Sequence, residues 1–214
     1  KNHSELIKLN EEDVYLCAEF IKDNLNKKIE ILVNTDGEKS IRVNGKTLNS
    51  YHDLNNGFFG EINIVNFSPE DIFIVNGAPV DRRIFVNFAV SQVSKLYREH
   101  LFSYNRIVSQ RNRALFKNEK LEIEVWTEKL IEEGIYITEK RMSVLSKFSE
   151  YVKEFYSLLQ KGNNKANDKL LILYKSSIGF IRELNDDNFN RELLSKKAYR
   201  NKLNEFQKKE MDHQ

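Results

Sequence analysis

The chain is poor in the residues that staple, punctuate or anchor a protein. Among its 214 residues there are one cysteine, two prolines, eight glycines and one tryptophan. A single thiol, Cys17, excludes an intramolecular disulfide framework, and a reducing cytoplasm is the expected home. Scarce proline and glycine exclude collagen-like or linker-dominated sequence. No apolar run approaches eighteen residues, so no membrane-spanning helix is expected. The first residue is Lys1, with no n-region and h-region behind it, so no secretory signal is read and the chain is expected to be cut from something longer. Four scattered histidines, His3, His52, His100 and His213, form no metal-ligating cluster, and no metal site is expected.

What is present describes a folded chain. Hydrophobic residues make up 40% and aromatics 11%, too much for wholesale disorder. The formal charge of +2 hides an asymmetry. Residues 1–75 carry 8 Lys/Arg against 13 Asp/Glu, a net of −5, which leaves 26 − 19 = +7 for 76–214. Within 81–120 nine basic residues oppose only Asp81, Glu99 and Glu119. Such an excess fits a polyanion footprint and equally a solvated helix face.

The local patterns change at the same place. Val14–Ile21 and Lys28–Val33 read as strands, with Asp36-Gly37 and Asn44-Gly45 supplying the positive φ that hairpin turns require. A short helix over Ser50–Asn56 and a strand over Ile62–Phe67 follow. Cys17 lies in an apolar run and is expected to be a small buried hydrophobe. Ser68-Pro69-Glu70-Asp71 reads as a helix start. Pro79 opens a helix to about Val90, and Ser94 caps another whose apolar face runs Leu96, Leu101, Tyr104, Val108 and Leu115. Leu145, Phe148, Val152, Phe155 and Leu159 have coiled-coil-like spacing. Lys161–Asn164 ends that helix, Leu170–Tyr174 reads as a lone strand, and Asn188–Lys209 as a polar helix. Trp126 is expected to anchor helix packing.

Asn44-Gly45-Lys46-Thr47 imitates the end of a phosphate-binding loop. Residue 40 is Ser where that motif needs glycine, and the flanks read as strands rather than strand–loop–helix. The hairpin reading is preferred. No catalytic constellation emerges from the residues alone.

A longer pattern does carry information. Phe67-Ser68-Pro69-Glu70-Asp71-Ile72 is followed by Gly77-Ala78-Pro79, Arg82-Arg83, Tyr97, Leu101, Tyr104 and Gln110-Arg111-Asn112. In that order the stretch Phe67–Phe116 resembles the central region of the RecF family of bacterial recombination and gap-repair proteins, with Arg42-Val43-Asn44-Gly45 resembling a family hairpin ahead of it. One departure stands out. The family usually has an acid where this chain has Asn87.

The resemblance implies an α+β chain: a partial sheet of lobe I of an ABC-type ATPase head, residues 1–75, followed by a helical lobe II or arm, 76–214. It implies a whole protein that binds ATP and Mg²⁺, closes as an ATP-dependent homodimer, binds double-stranded or gapped DNA, and with RecR and RecO supports RecA loading in repair, replication and the SOS response. The chain is expected to begin after the Walker A loop and to stop before the signature and Walker B motifs. It therefore has no catalytic residue assigned and is not expected to hydrolyse ATP by itself, since phosphoryl transfer rests on groups it lacks. Ser68, Glu70 and Asp71 fall where related heads sense the γ-phosphate, and they also serve simply as helix caps. Arg82, Arg83, Arg106, Arg111, Arg113 and Lys117 are the DNA-contact candidates, with surface ion pairs to Glu119, Glu122, Glu124 and Glu128 as the bland alternative. The competing function is a helical protein-docking module with no DNA contact, for which an exposed Leu145–Leu159 seam would be the mark.

Overall fold

A computed structural model describes residues 3–160, 170–176, 181–183 and 195–211. The chain divides into two compact units, Lys1–Pro69 with Ser91–Lys95, and Glu70–Val90 with Leu96–Gln214.

The first unit is built on an antiparallel sheet in the order β1 (Asp13–Lys22), β2 (Leu25–Asn34), β3 (Lys39–Val43) and β4 (Lys46–Thr47). The β1–β2 register runs from Asp13 opposite Asn34 to Lys22 opposite Leu25. Its two-residue turn, Asp23-Asn24, holds φ at 52° and 61°, the mirror-image turn geometry that Asp and Asn tolerate without glycine. Side chains alternate across a strand, so Val14, Leu16 and Ala18 share a face with Ile29, Ile31 and Val33. Ile29 and Val33 are buried on that face, while Leu16 stays exposed. Tyr15, Cys17 and Glu19 lie on the other. Cys17 is exposed rather than a buried hydrophobe, because it belongs to the polar side opposite Glu30.

Helix α1 (Tyr51–Gly57) starts where the sequence places it. Ser50 Oγ accepts from the Asp53 backbone N–H at 3.1 Å, and Asp53 Oδ2 accepts from Asn49 N–H at 3.3 Å. The strand expected over Ile62–Phe67 does not form. A single bridge joins Phe59 to Ile62, and the residues beyond have no strand partner among the described residues. Alternation of apolar residues marks a strand only when a neighbour is available to accept its hydrogen bonds.

The second unit is helical. A 3-10 turn, Pro69–Ile72, leads into α2 (Phe73–Asn76), and α3 (Pro79–Val93), α4 (Lys95–Phe116) and α5 (Lys120–Gln160) follow. The α4–α5 turn is closed by Asn118 at φ 55°, with Asn118 N–H donating to Leu115 O and Glu119 N–H to Ala114 O, both at 3.0 Å. That pair of bonds is a Schellman closure with Asn in the place glycine usually takes. The helices then run antiparallel: Arg111 meets Thr127, His100 meets Glu133 and Tyr97 meets Arg141. Val90, Tyr97 and Ile137 form one core cluster, and Ile131, Met142 and Tyr199 of α6 (Lys196–Met211) form another.

Several expectations shift here. The inner stripe of α4 centres on Tyr97, Ile107, Arg111 and Ala114, whereas Leu96 is exposed. The seam from Leu145 to Leu159 is open over much of its length, with Phe148, Phe155 and Leu159 exposed. The expected lone strand is paired: β5 (Leu173–Lys175) lies antiparallel to β6 (Ile181–Glu183). One apolar residue in β6 left too little pattern to read it beforehand. Residues 161–164 and 188–194, assigned from sequence to a helix end and a helix start, lie outside the described residues.

Candidate nucleic-acid interface

A helix of 22 residues with basic side chains at suitable intervals presents a row. Arg106 and Arg113 of α4 are seven residues apart, and Lys117 follows four residues on, in the turn just past the helix, where its N–H still donates to Arg113 O at 3.1 Å; that spacing returns each to nearly the same angular position over about 16 Å. All three are exposed. Lys117 Nζ lies 3.6 Å from Glu119 Oε1, an exposed pair that contributes little. Two other arginines of α4 point inward. Arg111, expected to flank the row, is 5% exposed and its Nε donates to Thr127 Oγ1 at 2.9 Å. Arg98 is buried as well. The basic excess of 81–120 is therefore part surface and part interior, a split that charge counting does not reveal.

Arg82 and Arg83 open α3 and are both exposed. Arg82 Nη1 donates to the Gly77 carbonyl at 3.1 Å, fastening the helix to the preceding turn. The same turn explains the Gly-Ala-Pro motif. Asp81 Oδ2 accepts from the Ala78 N–H at 2.8 Å, and a Cβ on Gly77 would strike the Phe73 carbonyl and come within 2.7 Å of that carboxylate. Ser68 precedes the 3-10 turn and Glu70 and Asp71 lie within it, with Ser68 and Asp71 half-buried.

Asn87 has the clearest role among the residues singled out. Its Oδ1 accepts from Tyr97 Oη at 2.7 Å and from Arg141 Nη2 and Nε at 2.7 and 3.1 Å. The arginine that Asn87 meets is Arg141, 54 residues along the chain. Sequence spacing carries no signal for it. Burial raises the Tyr97 hydroxyl above its ordinary value, and Arg141 pulls the other way. A neutral amide holds the guanidinium where a carboxylate would form a partly buried ion pair.

The Asn44–Thr47 segment is a hairpin. Asn44 and Gly45 take φ of 50° and 80°, and Val43 pairs with Lys46. Asn44 Oδ1 accepts from Lys28 N–H at 2.9 Å, so the loop's polar groups serve the sheet. Among the described residues no group of three His, Cys, Asp or Glu is placed to hold a metal ion, and no helix is long and apolar enough to cross a membrane.

The antiparallel sheet followed by packed helices is a mixed arrangement of the ABC-ATPase type. No protein-family model matches the chain. Curated relatives do. A RecF DNA replication and repair protein from Clostridium botulinum (strain Alaska E43 / Type E3) is 33% identical over 194 residues, covering 90% of this chain and 50% of the relative. One from Prosthecochloris aestuarii is 34% identical over 157 residues, 71% of this chain and 40% of the relative. A solved structure of the recombination mediator protein RecF with ATP, from the RecFOR pathway, superposes with a TM-score of 0.71 at 30% identity, covering 95% of this chain and 52% of that one. Sequence and structure agree, and the chain is related to RecF over nearly its whole length. It spans about half the length of the curated relatives it matches.

Proposed function

We propose that the chain supplies the lobe I sheet region, 1–75, and the helical lobe II arm, 76–214, of a RecF-type DNA recombination and repair protein of the cytoplasm. The observation that carries this reading is the exposed row of Arg106 and Arg113 on α4 and Lys117 just past its end, while the other arginines of that helix are turned inward. Such a row meets duplex phosphates without reading bases. Arg83 adds a further exposed cation on α3, and Arg82 is tied to Gly77. A solved relative is RecF with ATP, which supports ATP as the nucleotide of the whole protein; Mg²⁺ would accompany it there. Ser68, Glu70 and Asp71 are the candidates for sensing its γ-phosphate. ATP-dependent pairing of two heads, and RecR with RecO as partners in RecA loading, complete the proposal.

The test is a salt titration of the 214-residue chain on a short labelled duplex, followed by fluorescence anisotropy. Counterion release predicts that log K falls against log salt by about 0.9 per phosphate contact. Absence of binding at low salt would remove DNA contact from this chain.

A second reading, docking of a protein partner, is favoured by one observation. Phe148, Phe155 and Leu159 form an exposed apolar line on α5, Phe155 being 62% and Leu159 80% exposed. Calorimetry of the chain with RecR, against a Phe155→Ser variant, separates the two: loss of heat in the variant with DNA binding intact assigns the line to docking.

A further inference from the structure

Beside the α4–α5 turn lies a cleft of about 530 Å³ whose walls include Gln110, Arg113, Lys117, Glu122, Val125 and Trp126. Arg113 and Lys117 belong to both the cation row and the cleft. A strand laid along the row by its phosphates is therefore carried to the mouth of the cleft. Inside, the wall chemistry changes from cationic to mixed. Trp126 is half-buried and has Lys129 Nζ 4.9 Å from its ring centroid, which orients the indole. Val125 adds apolar surface, Gln110 an amide, and Glu122 a carboxylate.

This set discriminates between ligands. A bare anion or an acidic peptide is attracted by Arg113 and Lys117 but repelled by Glu122 and by Glu119, which also lines the cleft. A nucleobase suits every wall: its π-face stacks on an indole, its ring or exocyclic N–H groups donate to a carboxylate or amide oxygen, and its 5′ or 3′ phosphate stays outside on the cations. Paired bases within a duplex offer their faces only to their neighbours in the stack, so away from a duplex end the base must be unpaired.

We infer that the α4–α5 cleft takes one unpaired base of a single-stranded or frayed DNA segment, stacked on Trp126, with its flanking phosphate on Arg113 and Lys117. The inference rests on the DNA-contact reading and adds to it a way for the arm to recognise where pairing stops.

Trp126 is the only tryptophan of the chain, so its fluorescence reports the cleft alone. The experiment titrates the 214-residue chain with a twelve-nucleotide oligo-dT and, separately, a blunt duplex with G·C ends annealed from two complementary strands. Tryptophan emission is read on unlabelled DNA and anisotropy on labelled DNA. Oligo-dT is expected to quench the emission by roughly half, and the blunt duplex to raise anisotropy with little quenching. Trp126→Ala is expected to weaken oligo-dT binding about tenfold or more while leaving duplex binding within about twofold. Trp126→Phe retains a ring, and most of the oligo-dT affinity returns. It serves as the check if the alanine variant unfolds. Oligo-dT binding with no quenching overturns the stacking and leaves the DNA row standing. Equal quenching by the blunt duplex, or by an Asp/Glu-rich nonapeptide at the same concentration, overturns the base site. No anisotropy change with either DNA overturns the DNA reading itself, and the inference with it.

Discussion

The two units bury their apolar residues differently. Among the described residues of the sheet unit, Ile29 and Val33 are the buried hydrophobics, and Ile21, Ile64, Val65 and Phe67 are each more than half exposed. In the helical unit, Val90, Tyr97, Ile107, Ala114, Ile123, Leu130, Ile131, Ile137, Met142 and Tyr199 are all buried. The polar interior differs in the same direction: Arg98, Arg111, Thr127, Thr138 and Ser149 are buried among the helices. The helical unit thus holds a core of its own with polar groups built into it. The sheet is covered on one face only in part, and an open apolar face is where association begins. The surface lysines do not differ: on the sheet Lys22 and Lys27 reach Glu61 and Lys28 reaches Glu19 and Glu30, and in the helical unit Lys117 reaches Glu119 and Lys196 reaches Glu132, all within 4 Å.

The largest effect that sharpens this contrast is expected from Ile131→Ala. A fully buried isoleucine truncated in a packed core costs about 2–5 kcal/mol, whereas Leu16→Ala on the half-open sheet costs less than about 1 kcal/mol. Urea unfolding of both variants reads the difference, and equal losses would break the comparison.

Next comes Asn87→Leu, which removes the shared acceptor of Tyr97 and Arg141 and is expected to cost about 2–3 kcal/mol by the same measurement. Asn87→Asp restores the family's usual acid beside Arg141 and is expected to stay within about 1 kcal/mol of the parent chain. Gly134→Ala follows. A Cβ there would lie 2.9 Å from Tyr199 Cε1, beside the Tyr199 hydroxyl that donates to the Gly134 carbonyl at 2.9 Å. Overpacking at this crossing costs about 1–3 kcal/mol and is expected to release α6, seen as faster amide exchange over Lys196–Glu205.

The smallest effect is a pH dependence. Burial raises the Tyr97, Tyr104 and Tyr199 hydroxyls above their ordinary value. In the unfolded chain tyrosine ionises near about pH 10, so the stability these groups contribute is complete below that pH and is lost as pH rises toward their folded values. A circular-dichroism melt at stepped pH is expected to show the helical signal weakening only above about pH 10, and less so in Tyr97→Phe.

Much of the scaffold was legible because its signals are local. Ser50 capping α1, Pro79 opening α3 and Asn44-Gly45 turning the β3–β4 hairpin each depend on neighbours within a few residues. The errors share a different cause. Whether Cys17 faces out, whether Arg111 turns inward and whether Phe155 is covered depend on what other segments supply, and Arg141 finds Asn87 only after α4 and α5 fold back on each other. Of the candidate site, the spacing of Arg106, Arg113 and Lys117 was readable, but the inward turn of their neighbour was not.

The central claim is that DNA contact belongs to α4 and not to the sheet, and paired charge removals test it most directly. One variant changes Arg106, Arg113 and Lys117 to Ala, the other Lys22, Lys27 and Lys28 to Ala, and both are titrated with salt on the same duplex. The account predicts a log-log slope about 2–3 units shallower for the α4 variant and an unchanged slope for the sheet variant. An unchanged slope for the α4 variant, with a shallower one for the sheet variant, would contradict it.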